Sequence, residues 1–304
     1  MDHSKNICMA FIVLCLLTMK IYAGDAGNNG FALLKLDVDA RAAGMGGAYT
    51  AIAEDASAVY WNPAGLAGAK SRSFTIMHHA WIKDFSHDFA AAQLKTGKHN
   101  IGISVNLLTF SDIEIRDLPT EEPYGTTDAI TFAGMLSYAT NVYDDYAAGI
   151  NIKYLFEKLY LEKSSGWAID LGVRKKDVIS GMDLGAAIQN IGQLSKLKRE
   201  NTPLPFIIRG GVGYHLPVKL MDNMPVLAAD VQYIRDESVY YHLGSQVDIY
   251  QYLAVRFGWV IGGGQNQPAF GFSLKYSAFH FNYSYSVAKY KLVGQQHISM
   301  GFIF

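Results

Sequence analysis

The sequence predicts an all-β protein: a transmembrane antiparallel β-barrel of about fourteen strands, with an N-terminal plug in its lumen. Three observations lead there. Apolar and polar residues alternate strictly from about residue 70 onward, the alternating segments are longer than strands of soluble sheets, and the face opposite the oily one mixes charges with glycine.

Residues 1–23 come first. Lys5 precedes an apolar run from Ile7 to Met19, and Lys20-Ile21-Tyr22-Ala23-Gly24 ends in the small residues a signal peptidase accepts, so cleavage is expected near Ala23. The run is about 13 residues, too short for a spanning helix of about 20. Both cysteines, Cys8 and Cys15, fall in this leader, and Ile12-Val13-Leu14 before Cys15 lack the small residue of a lipidation site. The exported chain is therefore expected to hold no disulfide and no thiolate metal site. Without Asp2, Lys5 and Lys20 it carries 24 basic and 26 acidic residues. That balance offers no basic footprint for nucleic acid.

Residues 24–70 lack the alternation. Their centre reads GMGGAYTAIAEDASAVYWNPAGLA, rich in glycine and alanine, which let backbone pack closely in a confined space. A barrel of about fourteen strands is too wide for its own side chains to fill, since about eight is the self-filling size. The segment is read as two short helical turns joined by hinges at Gly44, Gly46 and Gly47. Asp55 is expected to cap a helix carrying Val59, Tyr60 and Trp61, and Asn62 to cap a second one with Pro63 and Ala64 at its start. Gly44 to Tyr49 superficially matches a dinucleotide fingerprint, but Tyr49 stands where glycine or alanine is needed and no βαβ pattern follows, so no cofactor is expected.

Residues 71–304 form the barrel. Strands are expected near 73–81, 87–95, 99–110, 128–139, 144–156, 166–174, 181–190, 206–216, 225–234, 239–248, 252–260, 267–276, 278–288 and 295–304. Lys153, Asp170, Arg174, Asp183, Arg209, Asp230, Arg256 and Lys275 take the polar face by parity. A Lys or Arg facing lipid at mid-depth costs about 2–4 kcal/mol, so these groups are expected to line the lumen and pair there. Backbone groups in hydrocarbon all need partners, which demands a closed sheet. Connections near 111–127 and 191–205 are the long, external ones and Tyr276-Ser277-Ala278 is a tight turn, with Trp81, Trp167 and Trp259 expected at the outer interface. The last strand carries Ile298, Met300, Phe302 and Phe304 on its oily face.

The glycine-rich run, with Glu54-Asp55-Ala56, Asn62-Pro63-Ala64 and the terminal Phe304, resembles the N-terminal signature of the FadL (long-chain fatty acid transporter) superfamily, in particular its PorV/PorQ branch. The resemblance implies a hatch within a fourteen-stranded barrel of the bacterial outer membrane, and a C-terminal aromatic read by the barrel-assembly machinery. It also implies passive uptake of small hydrophobic, fatty-acid-like molecules. The alternative is a component of type IX secretion that binds or shuttles secreted cargo proteins. Expected partners are outer-membrane lipid, a hydrophobic ligand and the assembly machinery, with no nucleic acid. Gating is expected at Gly44, Gly46, Gly47, Asp55 and the stretch from Tyr60 to Ala64.

Histidines add little at this stage. His78 and His79 are strand neighbours on opposite faces, so they cannot share an ion and are read as rim residues. His280 and His297 are expected to approach across the last hairpin as lumen lining, and no metal is assigned. His297 and Ser299 share a face about 7 Å apart without a third partner, so no catalysis is expected.

Overall fold

The computed structural model describes residues 29–80, 85–116, 122–143, 145–196, 203–221, 223–287 and 294–304. The leader read at 1–23 and Trp81 lie outside the described residues. Fourteen strands follow the N-terminal segment: β1 (Ser73–Ala80), β2 (Phe85–Thr96), β3 (His99–Ile115), β4 (Gly125–Tyr143), β5 (Tyr146–Leu159), β6 (Glu162–Ile179), β7 (Met182–Leu194), β8 (Ile207–His215), β9 (Val226–Ile234), β10 (Val239–Ile249), β11 (Leu253–Gly262), β12 (Gln265–Tyr276), β13 (Phe279–Ser286) and β14 (Gln295–Ile303). Each falls on one of the expected segments. Strands β3, β4 and β6 are longer than expected, at 17, 19 and 18 residues, because ladder pairing continues into the connections, as from Ile113↔Thr127 to Ile115↔Gly125.

Every strand pairs antiparallel with its chain neighbours, and β1 closes on β14 from Ser73↔Ile303 to Ala80↔Gln296. Closure leaves no free edge, so every spanning backbone group finds a partner within the sheet. Strand β1 shows the division of faces, with Ser73, Thr75, Met77 and His79 buried and Phe74, Ile76, His78 and Ala80 exposed. Ile101, Ile103 and Val105 on β3, and Ile150, Ile152 and Tyr154 on β5, stand exposed in the same way. An apolar belt this continuous is a hydrocarbon-facing surface, far beyond the scattered apolar side chains of a soluble protein. Trp167 and Trp259 lie on that belt, five and three residues inside their strand ends rather than at the tips.

One end of the barrel bears the connections 116–124 and 195–206, and the other bears tight turns at 97–98, 180–181 and 277–278. The expected contrast of long and short ends fails once. Residues 216–225, at the tight-turn end, make a ten-residue excursion closed by the bridge Leu220↔Asn223.

Residues 29–70 hold four short helical pieces where the sequence suggests two: Ala32–Lys35, Ala40–Gly44, Ala58–Trp61 and Pro63–Gly68. This segment contacts β3 to β6 and β11 to β14 around a closed ring, which places it inside the lumen. Met45, Tyr49, Trp61 and Leu66 form one core with Met77, Phe89 and Leu155 of the wall.

Candidate functional site

The site is the contact between this inner segment and the barrel wall. Its closest approach is a backbone one. Gly46 and Gly47 take positive φ, 64° and 76°, and a methyl group added at Gly46 would stand 2.6 Å from Trp259 N on β11. Gly44 lies against Gly271, where the added methyl would meet Cα at 3.1 Å. Strand glycines on the inner face, Gly258 among them, are therefore the seat on which the segment rests.

Polar ties hold it there. Asp230 accepts from Tyr49 N at 3.0 Å and Thr50 N at 2.8 Å, and His242 donates from Nδ1 to the Gly46 carbonyl at 2.7 Å. Tyr60 donates to Leu36 O at 2.6 Å and Trp61 to Val38 O at 3.1 Å, which folds the segment back on itself. Asn62 does three jobs. Its Nδ2 donates to Thr50 O and to Val173 O of β6, while Oδ1 accepts from Ala64 N and starts the Pro63–Gly68 turn.

An Asn62→Asp variant keeps the acceptor and loses both donors, leaving two buried carbonyls facing a carboxylate. Each lost buried partner costs about 1–3 kcal/mol. Amides of residues 45–66 are expected to exchange at least tenfold faster, and unchanged hydrogen exchange there would show that Asn62 is not a tie.

The expected inner pairing holds in part: Lys153, Arg174 and Lys275 form ion pairs, whereas Arg209, Asp230 and Arg256 form none among the described residues and bond to neutral groups instead. Lys153 Nζ meets Asp170 at 2.8 Å and Asn190 Oδ1 at 2.7 Å. Asp170 also accepts from Asn151 and from the backbone of Asn190. Arg174 bridges Asp183 at 2.8 Å and Glu54 of the segment at 2.9 Å. Arg209 packs its guanidinium 4.8 Å from the Trp61 ring and donates to Gln189 at 3.0 Å. Arg256 donates to Gln246 at 2.8 Å, and Lys275 pairs with Asp248 at 2.7 Å. Burial pulls Glu54 upward, but Arg174 and Lys176 outweigh it and hold the carboxyl below its ordinary range. That tie is complete at neutral pH and is released only as pH falls through the lowered value. In Asp39, burial and then the Asp55 charge lift the carboxyl, against hydrogen bonds from Ser299 and Arg41 N.

A cavity of about 460 Å³ opens at the tight-turn end between segment and wall, lined by Asp39, Arg41, Asp55, Asp248, Arg256 and Lys275 among others. It is a charged vestibule. A second hollow of about 380 Å³ lies along the wall, lined chiefly by Ile76, Met77, Phe89, Val105, Ile298 and Met300.

A family model described as "Uncharacterised protein family (UPF0164)" matches residues 20–195, which span the inner segment and β1 to β7. The chain belongs to that family. No curated protein matches it in sequence. The toluene transporter TodX of Pseudomonas putida shares the fold with a TM-score of 0.67 at 12% identity, over 88% of this chain and 96% of that one. The CymD monoaromatic hydrocarbon channel does so with 0.63 at 13%, over 90% and 99%. A FadL homologue of Pseudomonas aeruginosa does so with 0.59 at 7%, over 88% and 98%. None of these three is a PorV/PorQ or secretion component by name.

Several features of the UPF0164 barrel are not legible in its alternation. Gln189 and Asn190 are consecutive on β7 yet both buried, because the pairing shifts opposite Asp170 and Asn190 takes φ 64°. That bulge aims Gln189 at Tyr60 O and Asn190 at Lys153. Asp55 does not cap the Ala58–Trp61 helix. Its Oδ1 accepts from Ser57 N and Oγ one turn earlier, and Ser57 is the N-cap residue. His280 and His297 do not meet either, since their register partners are Gly301 and Ser284. His79, one residue from the end of β1, is buried and stacks on His297 with ring centroids 3.9 Å apart. Ile298, Met300 and Phe304 are exposed on the outer face, and the Phe302 ring lies 4.8 Å from that of Phe279.

Proposed function

We propose that this UPF0164 protein is a bacterial outer-membrane channel for passive uptake of small hydrophobic, fatty-acid-like molecules, gated by the inner segment. One observation carries the reading. The lumen of a barrel with the fold of hydrocarbon channels is filled by a segment that, among the described residues, joins no strand ladder and, apart from its chain link to β1, is held by hydrogen bonds, ion pairs and packing. A ligand leaving water for apolar side chains gains about 0.8 kcal/mol per buried CH₂. That gain suffices to displace a few such ties at the Gly46–Gly47 turn. The vestibule beyond is lined by charged side chains such as Asp55, Asp248 and Lys275, which offer an apolar ligand no hydrogen bond or ion pair to hold it there.

A lock tests the gate. At Gly213 on β8 an added Cβ stands 3.7 Å from Ile52 Cβ, within disulfide reach, and the only native cysteines are Cys8 and Cys15. Vesicles containing the Ile52→Cys/Gly213→Cys protein are expected to take up a fluorescent fatty acid when reduced and to lose at least tenfold of that rate when oxidised. Equal rates in both states would remove the gate. Wild-type vesicles no faster than empty ones would remove the transport reading itself.

A further inference from the structure

Three imidazoles from three strands meet inside the barrel. His297 of β14, His79 of β1 and His87 of β2 straddle the seam where the first strand closes on the last. All three are at least 98% shielded from solvent. His79 Nδ1 donates to His87 Nδ1 at 3.4 Å, and the His87 ring donates from Nε2 to Asn106 Oδ1 at 2.7 Å. Since Nε2 carries the proton, His87 Nδ1 presents a lone pair toward His79. His297 stacks on His79 at an interplanar angle of 22°, with neither of its ring nitrogens bonded, and His79 Nε2 has no partner either. Three unmatched nitrogens gathered in one trio of side chains that can ligate an ion point to a ligand.

The spacing identifies its class. Two imidazole nitrogens bound to one tetrahedral ion at about 2.0–2.1 Å stand about 3.3–3.4 Å apart, which is the separation found. The Asn106 carbonyl on the far nitrogen is the second-shell contact that fixes the tautomer of a ligating histidine. We propose that His79 and His87 bind a zinc-type divalent transition-metal ion, with His297 turning about its side-chain torsions to supply a third nitrogen. Among the described residues no three such side chains already converge on one point. The structure thus holds a two-histidine bite with the third donor stacked beside it. The ion staples β14, β1 and β2 and so braces the closing seam. His78 faces the opposite way, paired with Asp88 at 2.7 Å on the outer surface, and serves as an internal control.

The test uses the exported protein without an affinity tag, in detergent and stripped with chelator, titrated with zinc chloride by calorimetry. One zinc per barrel is expected. His79→Ala and His87→Ala each weaken binding at least tenfold, and His297→Ala and Asn106→Ala weaken it about tenfold. His78→Ala leaves it unchanged. Cobalt(II) substituted into the unaltered protein is expected to show the intense visible bands of a four-coordinate, nitrogen-ligated ion, so the proposal stays testable if a variant fails to assemble. Absence of saturable zinc binding, cobalt bands of a six-coordinate aquo ion, or binding lost with His78→Ala but kept with His79→Ala would each overturn it.

Discussion

Replacing Asp170 by alanine is expected to destabilise the barrel by about 3–5 kcal/mol, the range found when one partner of a buried ion pair is removed. Lys153 and Asp170 are both buried, and Asp170 also satisfies Asn151 and the Asn190 backbone. The single variant leaves a buried ammonium group in the wall without its counter-ion, bonded to Asn190 Oδ1. Charge alone is not what matters. A Lys153→Met/Asp170→Leu double variant removes both ions and is expected to recover most of the loss. Equilibrium urea unfolding in lipid vesicles measures both. If the single variant unfolds at the wild-type midpoint, the pair contributes no structural support.

The second large effect is expected at Gly46. A valine there must adopt φ near 64° with a β-branched side chain, a conformation that costs about 1–3 kcal/mol by itself. Its Cβ also overlaps the Trp259 backbone, part of a paired strand that cannot yield. The segment is expected to leave its seat while the barrel, whose strands pair without it, still closes. Planar-bilayer conductance should then rise at least tenfold, and protease should reach residues 29–70. Wild-type conductance with a protected segment would show that the Gly46 contact does not hold it. Asn62→Asp acts on the same segment through hydrogen bonds alone, so its effect should be smaller.

The two variants also mark what can be read without the structure. Alternation assigns each strand residue a face, because successive side chains on a pleated strand point opposite ways. Lys153 and Asp170 carry that signal in their own strands. Nothing in either strand says that they meet. Their contact depends on the register of β5 against β6, where Asn151 stands opposite Asp170, and on the β7 bulge that turns Asn190 inward. The His79–His87–His297 cluster is hidden for the same reason. Each histidine has the right parity, but two lie near the start of the barrel and one near its end, and only closure of β1 on β14 joins them.

The strand count, the oily and polar faces and the alternation break near residue 70 were thus determined by the sequence alone, since each is a local, periodic property of the chain. Which inward groups become partners, how the aperiodic residues 29–70 fold into four turns, and where Gly46 touches the wall were decided only by the tertiary structure. The reason is that register, closure and a bulge act between segments far apart in the chain, and no local pattern records them.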